Sequence, residues 1–479
     1  MNGMLLRARR ATLFLACLGL LLALVSCGGG GGEEGSEASA TPGGGLATPA
    51  GTATPHGGTV DITMWHMEPA SNLNALQDLV RRYNNSQSEV RVKLAFQGNA
   101  EEEMAKLIAS LGGGDLPAIV YLNEENTQRL IDSGAATPVQ EFIDREKYDL
   151  SDFAPKLIQY YTVDGKLWAM PFGSNIPMLF YNKVTFREVG LDPENPPKDI
   201  EELRQAAEKM VKRDSHGNLV RTGLAINLTA WHLVTALAEH GDLYVDHENG
   251  RDGRATEVLF NGPTGQTYFQ WWRDMVKQDL ALNVGLDPAG ADTYLPVGAG
   301  RVGMTAGDSV ALRSVVDALE GGLAQVDVEL GVANRPGVPG GTGLPGIYGR
   351  ALWIFKSRPQ EEQEAAWKFI KWLMEPEQQA EWYSGSGFLP VNNKAFELPA
   401  AKEIEAKYPQ FKIAAQLYLA ASVSPVPPGP LLGPQFDVGQ IIRRAAEEML
   451  VGNKDPVDAI NDAAEEANEV IQEYNRRIE

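Results

Sequence analysis

Hydrophobic positions in the first part of the chain alternate between two spacings. In "TVDITMW", Val60, Ile62 and Met64 fall on every second residue, the period of a strand with one buried face. Residues 71–84 place Leu73, Leu76, Leu79, Val80 and Tyr83 at helical spacing. "VRVKLAF" returns to strand alternation through Val90, Val92, Leu94 and Phe96. "EEEMAKLIASL" is helical, with Met104, Leu107, Ile108 and Leu111 on one stripe and its Glu residues at the start, where the helix dipole favours them. Gly112–Gly114 stop that helix, and "PAIVYL" reads as a short buried strand. Strand–helix–strand–helix–strand predicts a parallel sheet covered by helices.

The same grammar recurs downstream. A helix is expected over residues 200–213, a strand at "RTGLAIN" and a helix over 230–240. A turn and short strand are expected in "DGRATEVLFN", and a helix opening at Pro263-Thr264. Strands follow at "GRVGMTAGD" and "GRALWIFK", then one long helix over 361–383 and a mostly helical C-terminus. With 479 residues, more than one core is expected. The pattern predicts two α/β lobes with a ligand crevice at the carboxyl ends of their strands. Several strands end in small polar or aromatic residues there: Trp65-His66, Asn123-Glu124, Ser174-Asn175 and Asp308-Ser309.

The N-terminus changes the picture of location. Arg7, Arg9 and Arg10 precede an apolar stretch, Ala11–Val25, of signal-peptide length. It ends in Leu24-Val25-Ser26-Cys27, which resembles a bacterial lipobox and implies lipidation at Cys27. Residues 28–58 are Gly, Ser, Thr, Ala and Pro with a few Glu, too polar to fold, and form a tether of roughly 30 Å reach. Cleavage before Cys27 would leave it as the one cysteine, and thus no disulfide framework. The expected location is extracytoplasmic, on a lipid anchor. A formal charge of −21 argues against nucleic acid and against electrostatic docking on anionic lipid.

Motifs for catalysis are sparse. The six histidines (56, 66, 216, 232, 240 and 247) are scattered, and neither His-Glu-x-x-His nor a P-loop occurs. "GTGLPG" at 341–346 fits Gly-x-Gly-x-x-Gly by letter but contains Pro345 and opens no helix, and "YSGSGF" around Ser386 lacks the glycine a nucleophile elbow needs. A binding protein without cofactor or metal is the expectation. Aromatics at element ends suit a sugar, whose C–H face stacks on a ring while carboxylates, amides and hydroxyls meet its rim. Trp65, Trp231, Tyr348 and Phe388 occupy such positions, whereas Trp271, Trp272, Trp353, Trp367 and Trp372 fall inside predicted elements and read as core.

Seven segments carry a resemblance: "TMWHMEP", "LPAIVYLNEEN", "GKLWAMPFGSNIPMLFYNKVTF", "VGLDPENPPKDIEEL", "GRVGMTAGDS", "GRALWIF" with "FIKWLMEPEQQAEWY", and "GSGFLPVNNKAFE". Through them residues 59–479 resemble family 1 extracellular solute-binding proteins of ABC importers, in the glycerol-3-phosphate- and sugar-binding branch. The resemblance implies a two-lobed periplasmic-binding-protein fold of type II, each lobe a mixed, mostly parallel sheet flanked by helices and hinged around the ligand cleft. It implies chain crossings between lobes at "PFGSNIP", near Thr305–Ser309 and after Phe355. The lobes would then be 59–172 with 306–355 and 173–305 with 356–479. It also implies a monomer that delivers its ligand to permease subunits.

Matched residue by residue, the branch's ligand contacts fall on Glu124, Ser174, Asn175, Asp308, Ser309 and Gly349. Phe388 stands where the branch has a tyrosine and Ala100 where it has another. The phosphate-binding arginine falls near Pro434, with Arg443 and Arg444 a helical turn or more beyond. A buried phosphate without a cationic partner is costly, and Asp308 and Asp437 would repel it. Arg350 is the one evident replacement charge. The expected ligand is therefore a neutral carbohydrate, contacted by Trp65, His66, Trp231, Tyr348, Arg350, Phe388 and Asp437 besides the matched positions. Glycerol-3-phosphate or a glycerophosphodiester is the alternative ligand; a sensory lipoprotein or a surface glycosidase is the alternative of another class.

Overall fold

The computed structural model describes residues 58–113, 116–287, 291–424 and 428–478; the signal segment, Cys27 and the tether up to residue 57 lie outside them. Two sheets organise the body; they contain the strands expected around Val60–His66, Val90–Phe96, Ile119–Asn123, Leu219–Ile226, Val302–Asp308 and Tyr348–Phe355, and also strands at Ala136–Thr137, Ala281–Asn283 and Leu330–Asn334 that the spacing did not mark. In the first, the order is Val90–Phe96, Val60–His66, Ile119–Asn123, Tyr348–Phe355 and Ala136–Thr137, with Met170–Asn175 also pairing to Tyr348–Phe355. Its first three strands are parallel and Tyr348–Phe355 runs antiparallel to its neighbours. In the second, the order is Ala281–Asn283, Leu219–Ile226, Val302–Asp308, Pro177–Asn182 and Leu330–Asn334. The three strands Leu219–Ile226, Ala281–Asn283 and Val302–Asp308 are parallel, and Pro177–Asn182 is antiparallel to both neighbours.

Helices cover each sheet with the faces their spacing dictates. Helix Ile200–Met210 buries Ile200, Leu203, Ala206, Ala207 and Met210, and Asp199 caps it by accepting the N–H of Glu201 and of Glu202 at 2.9 and 2.8 Å. Its Ala207 lies flat against Gly223 of the second sheet: a Cβ built on Gly223 would sit 2.2 Å from the Ala207 Cα. A backbone atom cannot yield as a side-chain tip can. Gly223→Val is therefore expected to destabilise by about 3 kcal/mol or more through overpacking, measurable by urea denaturation; a loss under about 1 kcal/mol would mean that this helix is free to shift.

The segment 170–182 passes from one sheet to the other across a single residue, Ile176, between Met170–Asn175 and Pro177–Asn182. That crossing is stitched to the second one: Ser309 N–H donates to the Ile176 carbonyl at 3.0 Å, and Ile176 N–H donates to Ser309 Oγ at 3.3 Å. Extended backbone is buried on both sides of Ser174-Asn175 because each flank is a strand of a different sheet, Met170–Asn175 pairing with Tyr348–Phe355 and Pro177–Asn182 lying between two strands of the second sheet.

The division between the lobes differs from the expected one. Within 306–355, strand Leu330–Asn334 belongs to the second sheet and only Tyr348–Phe355 to the first. Within 356–479, the helices between Gln360 and Ser422 pack into the first core, and Gln435–Leu450 with Pro456–Ile478 into the second. The first core also extends over Met178, Phe180, Leu330 and Val332 of the second sheet, so the lobes share an apolar seam. Two local expectations change as well. The helix over 361–383 is two helices, Gln360–Leu373 and Pro376–Ser386, because Pro376 has no N–H to continue the first and sits at the start of the second. "DGRATEVLFN" forms only a single bridge, Val258 to Val245, rather than a strand.

Candidate functional site

A cavity of about 860 Å³ opens between the sheets, lined by the loops at the carboxyl ends of their parallel strands. The first sheet contributes Asn123, Glu124 and Glu125 at the end of strand Ile119–Asn123, and Gly349 and Arg350 beside them. The second contributes Asn227, Trp231 and His232 beyond strand Leu219–Ile226, and Asp308 at the end of Val302–Asp308. Asn175 stands at the crossing, and Phe388 reaches the wall from the turn after helix Pro376–Ser386.

Arg350 is held on several sides. One guanidinium nitrogen donates to Glu68, whose side chain is fully buried, and Nε donates to Asn123 Oδ1 at 2.8 Å. The guanidinium lies 5.0 Å from the Phe388 ring centre, and Phe388 is stacked on Trp382 on its far side at 5.5 Å. Glu68 accepts a second bond from Asn72 at 3.0 Å. The one arginine among the described residues of the cavity wall is thus already matched by a carboxylate of its own.

Three carboxyl groups on the wall are shifted by burial. Glu124 is pushed up to about 7, chiefly by burial and then by Glu125. Burial raises Glu125 and Asp308 as well, with Arg350 pulling the other way in each case. Asp308 also accepts the N–H of Val310 at 3.0 Å and of Ala311 at 3.3 Å, capping helix Ala311–Glu320. His232, lowered to about 3 by burial and by the Arg335 charge, is neutral; its Nε2 lies 2.8 Å from Asn227 Oδ1, and its Nδ1 has no hydrogen-bond partner. Trp231 presents a half-buried ring, edge-on to Tyr348 at 6.0 Å and 5.8 Å from the Arg335 guanidinium. Arg335 in turn pairs with buried Glu239 at 3.0 Å.

Behind Arg350, Glu103 is fully buried with neither carboxyl oxygen hydrogen-bonded. Burial, with Glu68 adding to it, lifts its pKa from 4.5 to about 8, against the pull of Arg350 and Lys106. The folded protein keeps a proton there that the unfolded chain releases near 4.5, so this group makes stability fall as pH rises between those values. Glu103→Gln is expected to remove that contribution: thermal melts at about pH 5 and about pH 8 should differ less for the variant than for the parent. Equal losses in both would place the proton elsewhere.

Of the positions expected from sequence, Glu124, Asn175, Trp231, Asp308, Gly349, Arg350 and Phe388 line this one cavity. The structure places six others off its wall. His66 shares the parity of Ile62 and Met64 in its strand and so points into the core, accepting the Glu68 N–H at 3.2 Å; Trp65 packs against the same core from the other face. Ser174 is buried, its hydroxyl donating to the Tyr348 carbonyl at 2.9 Å and its backbone paired with Leu389. Ser309 serves the crossing, and Tyr348 supports Trp231 from behind. Asp437 pairs with Arg129 at 2.5 Å, joining the helices of the two lobes. Asn123 was marked as a strand end but not carried to the expected contacts, and Glu125, Asn227 and His232 escaped the sequence reading; Asn227 follows the strand in "RTGLAIN", and the strand-end rule would have found it.

Comparisons with known proteins agree with this architecture. Residues 78–412 match the model of the family described as bacterial extracellular solute-binding protein. The sn-glycerol-3-phosphate-binding periplasmic protein UgpB of Pectobacterium atrosepticum is 28% identical over 424 residues, covering 87% of this chain and 92% of that protein. Its counterpart from Salmonella typhimurium is 27% identical, with 87% and 93% covered. Among solved structures, UgpB from Mycobacterium tuberculosis in complex with glycerophosphocholine superposes with a TM-score of 0.71 at 20% identity, covering 88% of this chain and all of that one. The cyclic alpha-maltosyl-1,6-maltose binding protein from Arthrobacter globiformis gives 0.68 at 24% identity, over 87% of this chain and all of that one. A two-lobed body with its cavity at the strand ends and a family match over most of its length have one reading: the chain belongs to the bacterial extracellular solute-binding proteins.

Proposed function

We propose that the protein captures a neutral carbohydrate in the cavity between its lobes and hands it to the permease of an ABC importer, held near the membrane by a lipid on Cys27. The observation that carries the ligand class is the charge on the wall. Among the described lining residues, Glu124, Glu125, Asp287 and Asp308 face one guanidinium, Arg350, which Glu68 and Asn123 already occupy. A phosphate there would meet half-buried carboxyls, and the described lining residues offer no unmatched cation to offset its desolvation. A polyol rim suits the same groups, since a carboxyl near neutrality and an amide can each accept or donate. Trp231 offers a ring for its C–H face.

A second reading is glycerol-3-phosphate or a glycerophosphodiester. The names of the curated relatives support it, as does the presence of Arg350 on the wall. It requires Arg350 to leave Glu68 for the ligand.

A thermal-shift screen of the protein against mono-, di- and oligosaccharides, sn-glycerol-3-phosphate and glycerophosphocholine separates the two. A true ligand at 100 times its dissociation constant stabilises by about 2.7 kcal/mol. Stabilisation by a neutral sugar is expected; stabilisation by the phosphates alone would replace this reading by the second.

A further inference from the structure

The cavity has two halves of different chemistry. The half just described holds the amides, carboxyls, Arg350 and Trp231. Past Asp308 it continues into a wing between helix Ala311–Glu320, helix Ala291–Gly298 and the second sheet. Val315, Ala318 and Leu319 line that wing from one face of helix Ala311–Glu320, and Val297, Leu323 and Val328 line it from the other elements. From Tyr294 to Leu330, Asp308 is the one acidic or basic residue among the described residues on the wall. Its carboxylate is occupied as a helix cap at the junction of the halves.

At the mouth of the wing Leu295 and Leu323 are 49% and 64% exposed. Leucines bared around an apolar recess leave apolar surface to water that an occupant would cover. On the wall from Tyr294 to Leu330, Tyr294, Thr305 and Ser314 are the hydroxyl-bearing side chains among the described residues, whereas the polar half beside it offers carboxyls, amides and a guanidinium.

We propose that the wing is a second subsite that takes an aliphatic chain carried on the same ligand, so that the natural ligand is a polyol head group bearing an alkyl or acyl substituent. This rests on the reading that the polar half holds the head group. Continuity of the two halves in one cavity selects this occupant: a ligand seated against Glu124 and Trp231 has its far side directed past Asp308.

The test is calorimetry with two sets of probes below their micelle-forming concentrations. One set is methyl, butyl and hexyl glucosides, galactosides and maltosides. The other is the methyl, butyl and hexyl monoesters of glycerol-3-phosphate. In the set that binds, affinity is expected to rise about threefold to fourfold per added methylene, as burial of a CH₂ predicts. Ala318→Gln, and Leu323→Gln at the exposed rim should the first variant misfold, are expected to flatten that rise. Neutral glycosides that bind with no dependence on chain length would overturn the wing and keep the head-group reading. Binding of the phosphate set alone, with the dependence intact, would keep the wing and overturn the neutral head group. Binding by neither set overturns both, and a rise unchanged in both variants would place the chain outside the wing.

Discussion

Arg350→Met is expected to cost about 3–5 kcal/mol of stability, the usual range for stripping one partner from a buried ion pair. Glu68 has a fully buried side chain and Arg350 is its cationic partner; Asn72 gives it one neutral hydrogen bond. Glu103, close behind, is already lifted to about 8 with no hydrogen bond of its own. Without the guanidinium, Glu68 would be left as a buried charge with one neutral hydrogen bond, beside a Glu103 that already holds its proton. The variant should therefore regain part of its stability at low pH. Adding Glu68→Gln should restore a large share, since a neutral amide replaces an orphaned charge. Chemical denaturation of the two single variants and the double variant measures this coupling. A cost under about 1 kcal/mol would mean that Arg350 is free to serve a ligand, which would favour the phosphate reading.

Trp231→Ala is expected to act on binding more than on the fold. Its ring is half-buried on the cavity wall, resting on Tyr348 and Arg335, and stacking residues of this kind lose about 1–3 kcal/mol of affinity on truncation, roughly 5- to 150-fold. Trp272 and Trp353, which are fully buried, give the contrast: truncation there should cost about 3–5 kcal/mol of stability. Melting temperature and ligand titration of Trp231→Ala, measured together, separate the two effects. Unfolding comparable to Trp353→Ala would return Trp231 to the core.

The architecture was legible where one periodicity dominated. Ile62 and Met64, or Leu203 and Met210, mark a face by spacing alone, and the element follows. Parity within a strand was legible too, and applied to His66 it would have kept that residue off the list of expected contacts: a residue two beyond Met64 faces what Met64 faces. What spacing does not carry is which lobe a helix joins. Helix Pro409–Ser422 packs on the first core yet touches strand Leu330–Asn334 of the second sheet, with Gln410 Nε2 donating to the Leu330 carbonyl at 2.7 Å. Such contacts are set by tertiary packing across 80 positions of chain.

The site was legible at strand ends and less so in its pairings. Glu124, Asn175 and Asp308 were found because a strand stopped there. That Arg350 is matched by Glu68 could not be read, since the two are far apart in sequence and meet only through the neighbouring strands of the first sheet. Asp437 misled for the same reason: its partner, Arg129, lies on the other lobe, and the pair closes outside the cavity wall.

We propose that the cavity is matched to a neutral polyol. Titration calorimetry of sn-glycerol-3-phosphate beside the sugar that stabilises the protein most tests it directly. The charge on the wall predicts a tight sugar complex and glycerol-3-phosphate weaker by at least about 100-fold, the equivalent of some 2.7 kcal/mol. Glycerol-3-phosphate binding as tightly as the sugar, or more tightly, would contradict it.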